Sequence, residues 1–265
     1  MLPDLVPREF LLAEQFVEFR VGLDEVAREL GEFAHRHLVA GIGQSVRIGK
    51  RRFRQAELAG ALGHEIGGED ALIHNQVGFQ SSPAIMDGVV YTGCRDAQLY
   101  ALDAASGKEK WRFDNQLSWV ITSPAVLDGK VYFATSDSAL YHVAEAATGK
   151  SLVKEDGRAY MFSSPAVVND TVFIGVFNGT LVARDAATGK VLWDFQTDAS
   201  KENKGWVLTA ERRFNGPLLF FDNWKEGPLI AQDRQISVGS VFSSPLVANG
   251  TVYFGSTDSF LYAID

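Results

Sequence analysis

The sequence has few of the features that mark secreted, membrane-spanning or nucleic-acid-binding proteins. It contains a single cysteine, Cys94, so no disulfide can form within the chain. No apolar run approaches the ~18 residues that span a bilayer, and the opening MLPDLVPREF lacks the basic and apolar regions of a secretory signal. The net charge is −8, without a basic stripe. Nucleic acids and anionic membranes are therefore not expected partners, and no membrane span is predicted.

Catalytic motifs are missing as well. The chain contains no HExxH, GxSxG, P-loop or GxGxxG pattern, so it lacks the minimal residues of a metallohydrolase, a serine hydrolase or a nucleotide-binding enzyme. Two of its five histidines, His35 and His37, are too close in sequence to share one helix face, and the other three are solitary. We therefore expect no catalytic residue and no metal site.

What the chain does contain is a repeat. Four segments align without gaps over their first nineteen residues, and they begin at Ser81, Thr122, Ser163 and Ser243. The proline two residues later recurs after 41 residues in the first three copies and after 80 residues in the fourth, almost two periods. A period of about 40 residues is typical of the blades of a β-propeller.

Each column of the repeat has a structural role. Eight residues after the proline an aromatic lies in an alternating run such as VVYTG, which predicts a strand packed between sheets. Asn or Asp begins a tight turn at Asp87, Asp128, Asn169 and Asn249. A second turn column holds Asp96, Asp137, Asn178 and Asp258. The pattern predicts an all-β propeller of four-stranded blades, about four in number and not necessarily closed into a ring, with an α-helical N-terminal segment.

Two segments carry a resemblance to a known family. LYALDAASGKEKW at 99–111 and LVARDAATGKVLW at 181–193 resemble the tryptophan-docking motif of PQQ-like propeller repeats, in which the tryptophan packs between blades. The second copy departs from the motif, with Val153 in place of tryptophan. The resemblance covers residues 70–265. It implies the fold of quinoprotein dehydrogenases and of the BamB-type outer-membrane assembly lipoprotein, but not an activity, since this scaffold hosts both enzymes and adhesive proteins.

The resemblance also raises the question of whether the sequence contains the residues that hold a quinone cofactor. Enzymes of the superfamily bind PQQ over a calcium ion, with an adjacent cysteine pair beneath the ring. This chain has one cysteine and no acidic cluster outside the turn columns. Asp96, Asp137 and Asp258 occur once per blade, as turn-forming residues do. We therefore expect neither PQQ nor calcium, and we interpret the chain as non-catalytic.

Candidate binding residues lie where the repeat is interrupted or variable. An insertion at 198–239 combines aromatic residues with arginines, as interface hot spots do; the alternative is that it only packs back onto the blades. Segments ahead of each proline differ between copies and would approach the central channel; the alternative is that they line it without a ligand. The candidates are Asn75, Gln76, Phe79, Gln80, Trp119, Phe162, Trp206, Arg212, Arg213 and Trp224.

Residues 1–67 lack the blade pattern, and we divide the chain into this segment and a propeller part at 68–265. Apolar residues spaced by three and four predict an amphipathic helix over about 8–38, followed by a second short helix at QAELAGALG. The last blade ends after its third strand, and VRIGKRRF at 46–53 is our candidate for the missing one. We interpret the chain as a truncated relative, with either a fused helical element or a start that reads a non-native frame.

The leading functional hypothesis is a non-catalytic scaffold that binds a protein partner. The resemblance implies the periplasm or cell envelope, whereas the absence of a signal sequence implies the cytoplasm if Met1 is the true start. The alternatives are a relative of PQQ-dependent dehydrogenases and a sensor that binds a small ligand in the channel. An open ring would leave strand edges exposed, and in that case we expect a homodimer.

Overall fold

The computed structural model describes residues 45–48, 51–54, 78–116, 118–203, 205, 207–216 and 227–265. The two predicted N-terminal helices and the boundary at residue 67 lie outside the described residues. Two short strands, β1 (Ser45–Ile48) and β2 (Arg51–Arg54), precede the repeats.

The repeats form four antiparallel sheets, one per copy, which we call blades 1 to 4. Blade 1 comprises β3 (Ala84–Met86), β4 (Val89–Gly93), β5 (Gln98–Asp103) and β6 (Glu109–Asp114). Blade 2 comprises β7 (Ala125–Leu127), β8 (Lys130–Ala134), β9 (Leu140–Glu145) and β10 (Ser151–Asp156). Blade 3 comprises β11 (Ala166–Val168), β12 (Thr171–Val176), β13 (Thr180–Asp185) and β14 (Val191–Gln196). Blade 4 comprises β15 (Leu246–Ala248), β16 (Thr251–Gly255) and β17 (Leu261–Ile264).

Within a blade each strand pairs with the next one along the chain. The turns that the sequence predicts explain this meander. Asp87 and Gly88 join β3 to β4 with φ angles of 50° and 73°, the left-handed pair of a two-residue hairpin. Asp128 and Gly129 repeat these angles in blade 2, at 48° and 71°. The sequence prediction of four short strands per period is confirmed in blades 1 to 3.

A ladder of serine hydrogen bonds links the blades side by side. The N–H of Ser82 donates to Oγ of Ser123 at 2.8 Å, and the N–H of Ser123 donates to Oγ of Ser164 at 2.9 Å. The N–H of Ser164 donates in turn to Oγ of Ser244 at 3.2 Å. Each bond joins equivalent residues of neighbouring blades, whose first strands also contact one another in sequence order. The repeated Ser-Ser-Pro or Thr-Ser-Pro segment thus sets the blade order.

The hydrophobic core lies between adjacent blades. The aromatic column places Tyr91, Tyr132 and Phe173 in buried positions, as the alternating pattern predicted. Leu99 of blade 1 and Phe133 of blade 2, both fully buried, belong to one cluster that spans the first junction. Each blade therefore depends on its neighbour for a complete core, as expected of a repeat protein.

Trp111 makes the contact between blades 1 and 2 that the docking motif implies. Its Nε1–H donates to the carbonyl oxygen of Ala146 at 3.0 Å, and its ring covers Gly149 in the turn of blade 2. A Cβ atom at Gly149 would lie 2.6 Å from the Trp111 ring, and the residue has a φ of 74°. Glycine is required here both by the close approach of the ring and by the left-handed backbone.

The prediction that VRIGKRRF completes the last blade is wrong. β1 and β2 lie within this segment and pair with each other, with Ser45 opposite Arg54 and Ile48 opposite Arg51. Only two residues separate the two strands, which favours a hairpin over pairing with a distant sheet. Among the strands that the structure describes, blade 4 consists of β15, β16 and β17.

The described part of the insertion contains two helices. Helix α1 (Asp198–Glu202) begins after Thr197, whose side chain accepts a hydrogen bond from the N–H of Ser200. Helix α2 (Gly227–Ile236) leads into blade 4. Neither helix described by the structure has the length and apolar character needed to cross a bilayer.

Candidate interaction surface

One end of the blades, which we call the loop face, is formed by two kinds of loop. The loops that enter each blade lie against the turns between second and third strands, and backbone hydrogen bonds connect them. Examples are Ser136 N–H to Trp119 O at 3.0 Å and Phe177 N–H to Tyr160 O at 2.9 Å. The N–H of Thr257 likewise donates to Ser240 O at 3.0 Å. Residues from separate repeats are therefore held together at this face.

Five aromatic rings meet on the loop face near blades 3 and 4, and we call them the aromatic cluster. Its members are Tyr160, Phe162, Phe177, Phe214 and Phe242. Phe162 and Phe242 stack with centroids 5.7 Å apart and an interplanar angle of 9°. Phe177 is buried beneath them, with its ring 4.6 Å from Phe242 in an edge arrangement.

The aromatic cluster is only partly covered. The side chain of Phe242 is 39% exposed, whereas Phe177 is 6% exposed. Phe214 comes from the insertion and lies 5.8 Å from Phe177 and 5.7 Å from Tyr160. Aromatic rings that are already held in place by packing lose little side-chain entropy when a partner covers their exposed part, and they bury a large apolar surface in the interface. Such a surface is suited to binding.

A second aromatic position on the loop face is Trp119. The guanidinium of Arg95, from the turn of blade 1, lies 3.8 Å from the centre of the Trp119 ring. This cation–π contact is of the kind that contributes ~0.5–2 kcal/mol, depending on exposure. It connects blade 1 to the loop that enters blade 2.

The structure distributes the other predicted binding residues among several places. Phe79 packs near Tyr100, with ring centroids 6.2 Å apart, and Gln80 is exposed. Phe79, Trp119 and Phe162 thus belong to loops of three different blades, and only Phe162 joins the aromatic cluster. Four further candidates lie outside the described residues: Asn75, Gln76, Trp206 and Trp224.

The two predicted arginines of the insertion bind carboxylates of the chain itself. Arg212 donates to both oxygens of Asp194 on β14, at 2.9 and 2.5 Å. Arg213 pairs with Asp156 at the end of β10. These pairs attach the segment at 207–216 to blades 2 and 3. Asp194 is stabilised as a carboxylate, since the Arg212 hydrogen bonds lower its pKa below the usual range.

Sequence reasoning missed four members of the aromatic cluster. Phe242 was detectable, because it occupies the position of Phe162 in the repeat, directly ahead of the Ser-Ser-Pro segment. Phe177 directly precedes Asn178 of the turn column, where the other copies have Arg95, Ser136 and Thr257, so the repeat does not predict an aromatic residue there. Phe214 belongs to the aromatic-rich insertion and Tyr160 to the variable loop ahead of blade 3. Their contacts within the cluster depend on loop conformations that the sequence does not specify.

The sequence predicted neither PQQ nor calcium, and the residues considered as their ligands can be located in the structure. In the described part of the chain, no group of three His, Cys, Asp or Glu side chains could hold a metal ion. The single cysteine, Cys94, is buried, and burial raises the pKa of its thiol to about 12. Two turn carboxylates serve structure: Asp96 accepts from Tyr100 Oη at 2.5 Å, and Asp258 from Tyr262 Oη at 2.7 Å. The absence of a cofactor stays a prediction.

Comparison with known proteins identifies the family. The sequence profile of the family described as "Outer membrane protein assembly factor BamB" matches residues 49–265. This chain belongs to that family.

Its fold is similar to that of BamB and of a computationally designed protein. BamB from Moraxella catarrhalis superposes with a TM-score of 0.51 at 19% identity, over 72% of this chain and 47% of that one. The computationally designed Ika4 protein superposes with a TM-score of 0.50 at 18% identity, over 72% of this chain and 93% of that one. The chain therefore spans about half the length of BamB.

A curated relative is an enzyme. The quinohemoprotein alcohol dehydrogenase ADH IIB from Pseudomonas putida is 33% identical over 125 residues, which are 47% of this chain and 14% of that enzyme. The chain is thus similar both to an assembly factor and to part of a dehydrogenase.

Proposed function

We propose that this protein is a non-catalytic propeller scaffold that binds a protein partner through the loop face. The aromatic cluster supports the proposal most directly. It presents the exposed edge of Phe242 and the stacked ring of Phe162 on a base that packing holds in place. The BamB family description, which names an outer-membrane assembly factor, supports a location at the cell envelope.

The chemistry of the surface favours a partner with apolar side chains. The cluster contains four phenylalanines and a tyrosine, and its only polar group is the Tyr160 hydroxyl. Rings of this kind form the centre of interfaces, where they exclude water, while charged residues stay at the rim. Arg95, held over Trp119, is a polar group of the loop face outside the cluster.

Site-specific photo-crosslinking tests the proposal. A photoreactive phenylalanine analogue replaces Phe242 in one variant and Leu152 in a control; Leu152 is 45% exposed but lies on β10. Both variants are mixed with the envelope proteins of the native host, and products are identified by mass spectrometry. We expect one discrete product from position 242 and none from 152. Equal products from both positions would count against the loop face.

The dehydrogenase alternative rests on one observation, the 33% identity with ADH IIB over 125 residues. Adding PQQ and calcium and then recording quinone absorbance and dye reduction with alcohols separates the two functions. The scaffold proposal expects no saturable binding of the quinone. Saturable binding together with dye reduction would favour the enzyme.

A homodimer is a further element of the proposal. Blade 4, as described, ends with β17, whose outer edge has no partner strand among the described residues. Unpaired edges favour pairing with another chain. Light scattering of the purified protein measures this: we expect twice the chain mass, and a mass of one chain would remove the dimer from the proposal.

A further inference from the structure

Blades 2 and 3 meet differently from blades 1 and 2. Where blade 1 uses Trp111, blade 2 has Val153, which packs against Gly189 of blade 3. The smaller side chain is accompanied by Arg184 of β13, which has Leu102, Val143 and Ile264 as its equivalents in the other repeats. The junction is therefore built around an arginine.

Arg184 links the two blades through carbonyl oxygens. Its Nη1 donates to Gly189 O at 2.9 Å, and its Nη2 donates to Asp156 O of blade 2 at 3.0 Å. The guanidinium also lies 5.1 Å from the centre of the Tyr141 ring. All these partners are neutral.

The charge of Arg184 is buried, and the nearby carboxylates of Glu155 and Asp156 compensate it only in part. The residue is 3% exposed, and no carboxylate among the described residues forms an ion pair with it. Burial lowers the pKa of Arg184, because water no longer solvates the charge. Arginine is almost never fully buried without a partner of opposite charge.

The third nitrogen of the Arg184 guanidinium, Nε, lies at a cavity between the blades. Nε of Arg184, Oγ1 of Thr180 and Oδ1 of Asn178 are buried and have no hydrogen-bond partner among the described residues. All three residues line one cavity together with Arg158 and Asp194. The cavity has a volume of about 10 Å³, which is close to the room that one water molecule needs. One ligand atom of similar size, such as a single carboxylate oxygen, therefore fits inside.

The residues that line the cavity carry two guanidinium groups, of Arg158 and Arg184, and one carboxylate, of Asp194. Both oxygens of Asp194 accept from Arg212, and Arg158 lies 3.6 Å from the same carboxylate. The Asp194 carboxylate is thus shared by two guanidinium groups, and Arg184, which also lies near Glu155 and Asp156, adds a third. The Arg158 side chain is 43% exposed, so it can contact both solvent and a ligand in the cavity.

We propose that this cavity binds one small monovalent anion, either a chloride ion or the end of a carboxylate. The Arg184 Nε–H and the Thr180 hydroxyl donate to the anion, and Arg158 covers its solvent side. Asn178 donates through Nδ2 to Arg212 O at 2.9 Å, so its Oδ1 can only accept a hydrogen bond and does not contribute to binding the anion. This site is separate from the aromatic cluster and independent of the scaffold function.

The anion can come from solution or from an acidic side chain of another protein. Nuclear magnetic resonance of the Arg184 Nε–H group tests both sources, with the resonance assigned through its side-chain carbons and by its loss in Arg184→Lys. Three titrations use sodium chloride, sodium formate and N-acetylglutamate methylamide, with ionic strength held constant by sodium sulfate, whose anion is too large for the cavity. A saturable shift is expected in at least one of them. Saturation by the free ions identifies a solution anion, and saturation by the glutamate derivative alone identifies a side chain.

Two variants and a control test whether the anion binds at this cavity. Thr180→Val keeps the shape and removes a hydroxyl donor, and it is expected to weaken binding about 10- to 100-fold, as for the loss of a hydrogen bond to a charged group. Arg158→Gln weakens binding while leaving the buried residues intact. Arg112→Gln removes a guanidinium of blade 1 and leaves the affinity unchanged. The proposal is overturned if no probe gives a saturable shift, or if Thr180→Val and Arg112→Gln bind equally.

Discussion

We expect the buried His142 to make the stability of this protein sensitive to acid between about pH 6.5 and about pH 4. The residue lies on β9 and is 1% exposed. Its ring stacks on Phe133, with centroids 5.0 Å apart, and meets the edge of Phe113 from blade 1 at 5.3 Å. Neither ring nitrogen has a hydrogen-bond partner among the described residues. Burial, aided by the charge of Lys154, lowers the pKa of His142 to about 4.

The size of the effect follows from proton linkage. An unfolded chain binds a proton at His142 near pH 6.5, whereas the folded chain does so only near pH 4. Stability is therefore unaffected by this group above about pH 6.5, falls as the pH drops from about 6.5 to about 4, and changes no further below. The difference of about 2.5 pKa units corresponds to roughly 3 kcal/mol at the acid end.

Replacing His142 with phenylalanine keeps the stacked ring and removes the titrating group. Urea unfolding at several values between about pH 7 and about pH 4 measures the free energy of unfolding of both proteins. The native protein should lose roughly 3 kcal/mol more than His142→Phe over this interval. Lys154→Gln serves as a control that retains the histidine and should keep most of the loss. If the native protein and His142→Phe lose stability in parallel, His142 is not the buried neutral group described.

Three further substitutions test the junctions between blades, each by chemical denaturation. Trp111→Phe keeps most of the packing but removes the indole hydrogen bond to blade 2, and it should cost about 1 kcal/mol; an unchanged midpoint would contradict the docking role. Gly149→Ala should be at least ~1 kcal/mol more destabilising than Gly88→Ala, because the two glycines have φ angles of 74° and 73° but only Gly149 lies against a ring. Ser123→Ala removes the acceptor for the N–H of Ser82 and should cost about 0.5–1.5 kcal/mol, whereas no loss would show that the ladder does not stabilise the blades.

The sequence determines the blades because their rules are local and repeated. Asp87-Gly88 and its equivalents require a left-handed turn, and the alternating run after it requires a strand. These features were predictable from one chain because each depends on a few neighbouring residues.

The candidate site was only partly predictable, since it depends on contacts between distant residues. Phe162 was expected on the loop face, but its stacking on Phe242 joins residues 80 positions apart. Arg212 was expected at an interface with a partner, and the structure pairs it with Asp194 of the chain itself. The segment 46–53 was assigned to the last blade from its strand pattern alone, which does not specify a pairing partner.

The most direct test of the proposed scaffold function is the affinity for the partner that photo-crosslinking identifies. Isothermal titration calorimetry compares the native protein, Phe162→Ala with Phe242→Ala in one chain, and Leu152→Ala. If the aromatic cluster is the binding centre, the double variant should lose about 100-fold or more in affinity, as expected for two hot-spot rings, and Leu152→Ala should bind as the native protein does. Equal affinity of all three proteins would contradict the proposal that the loop face binds the partner.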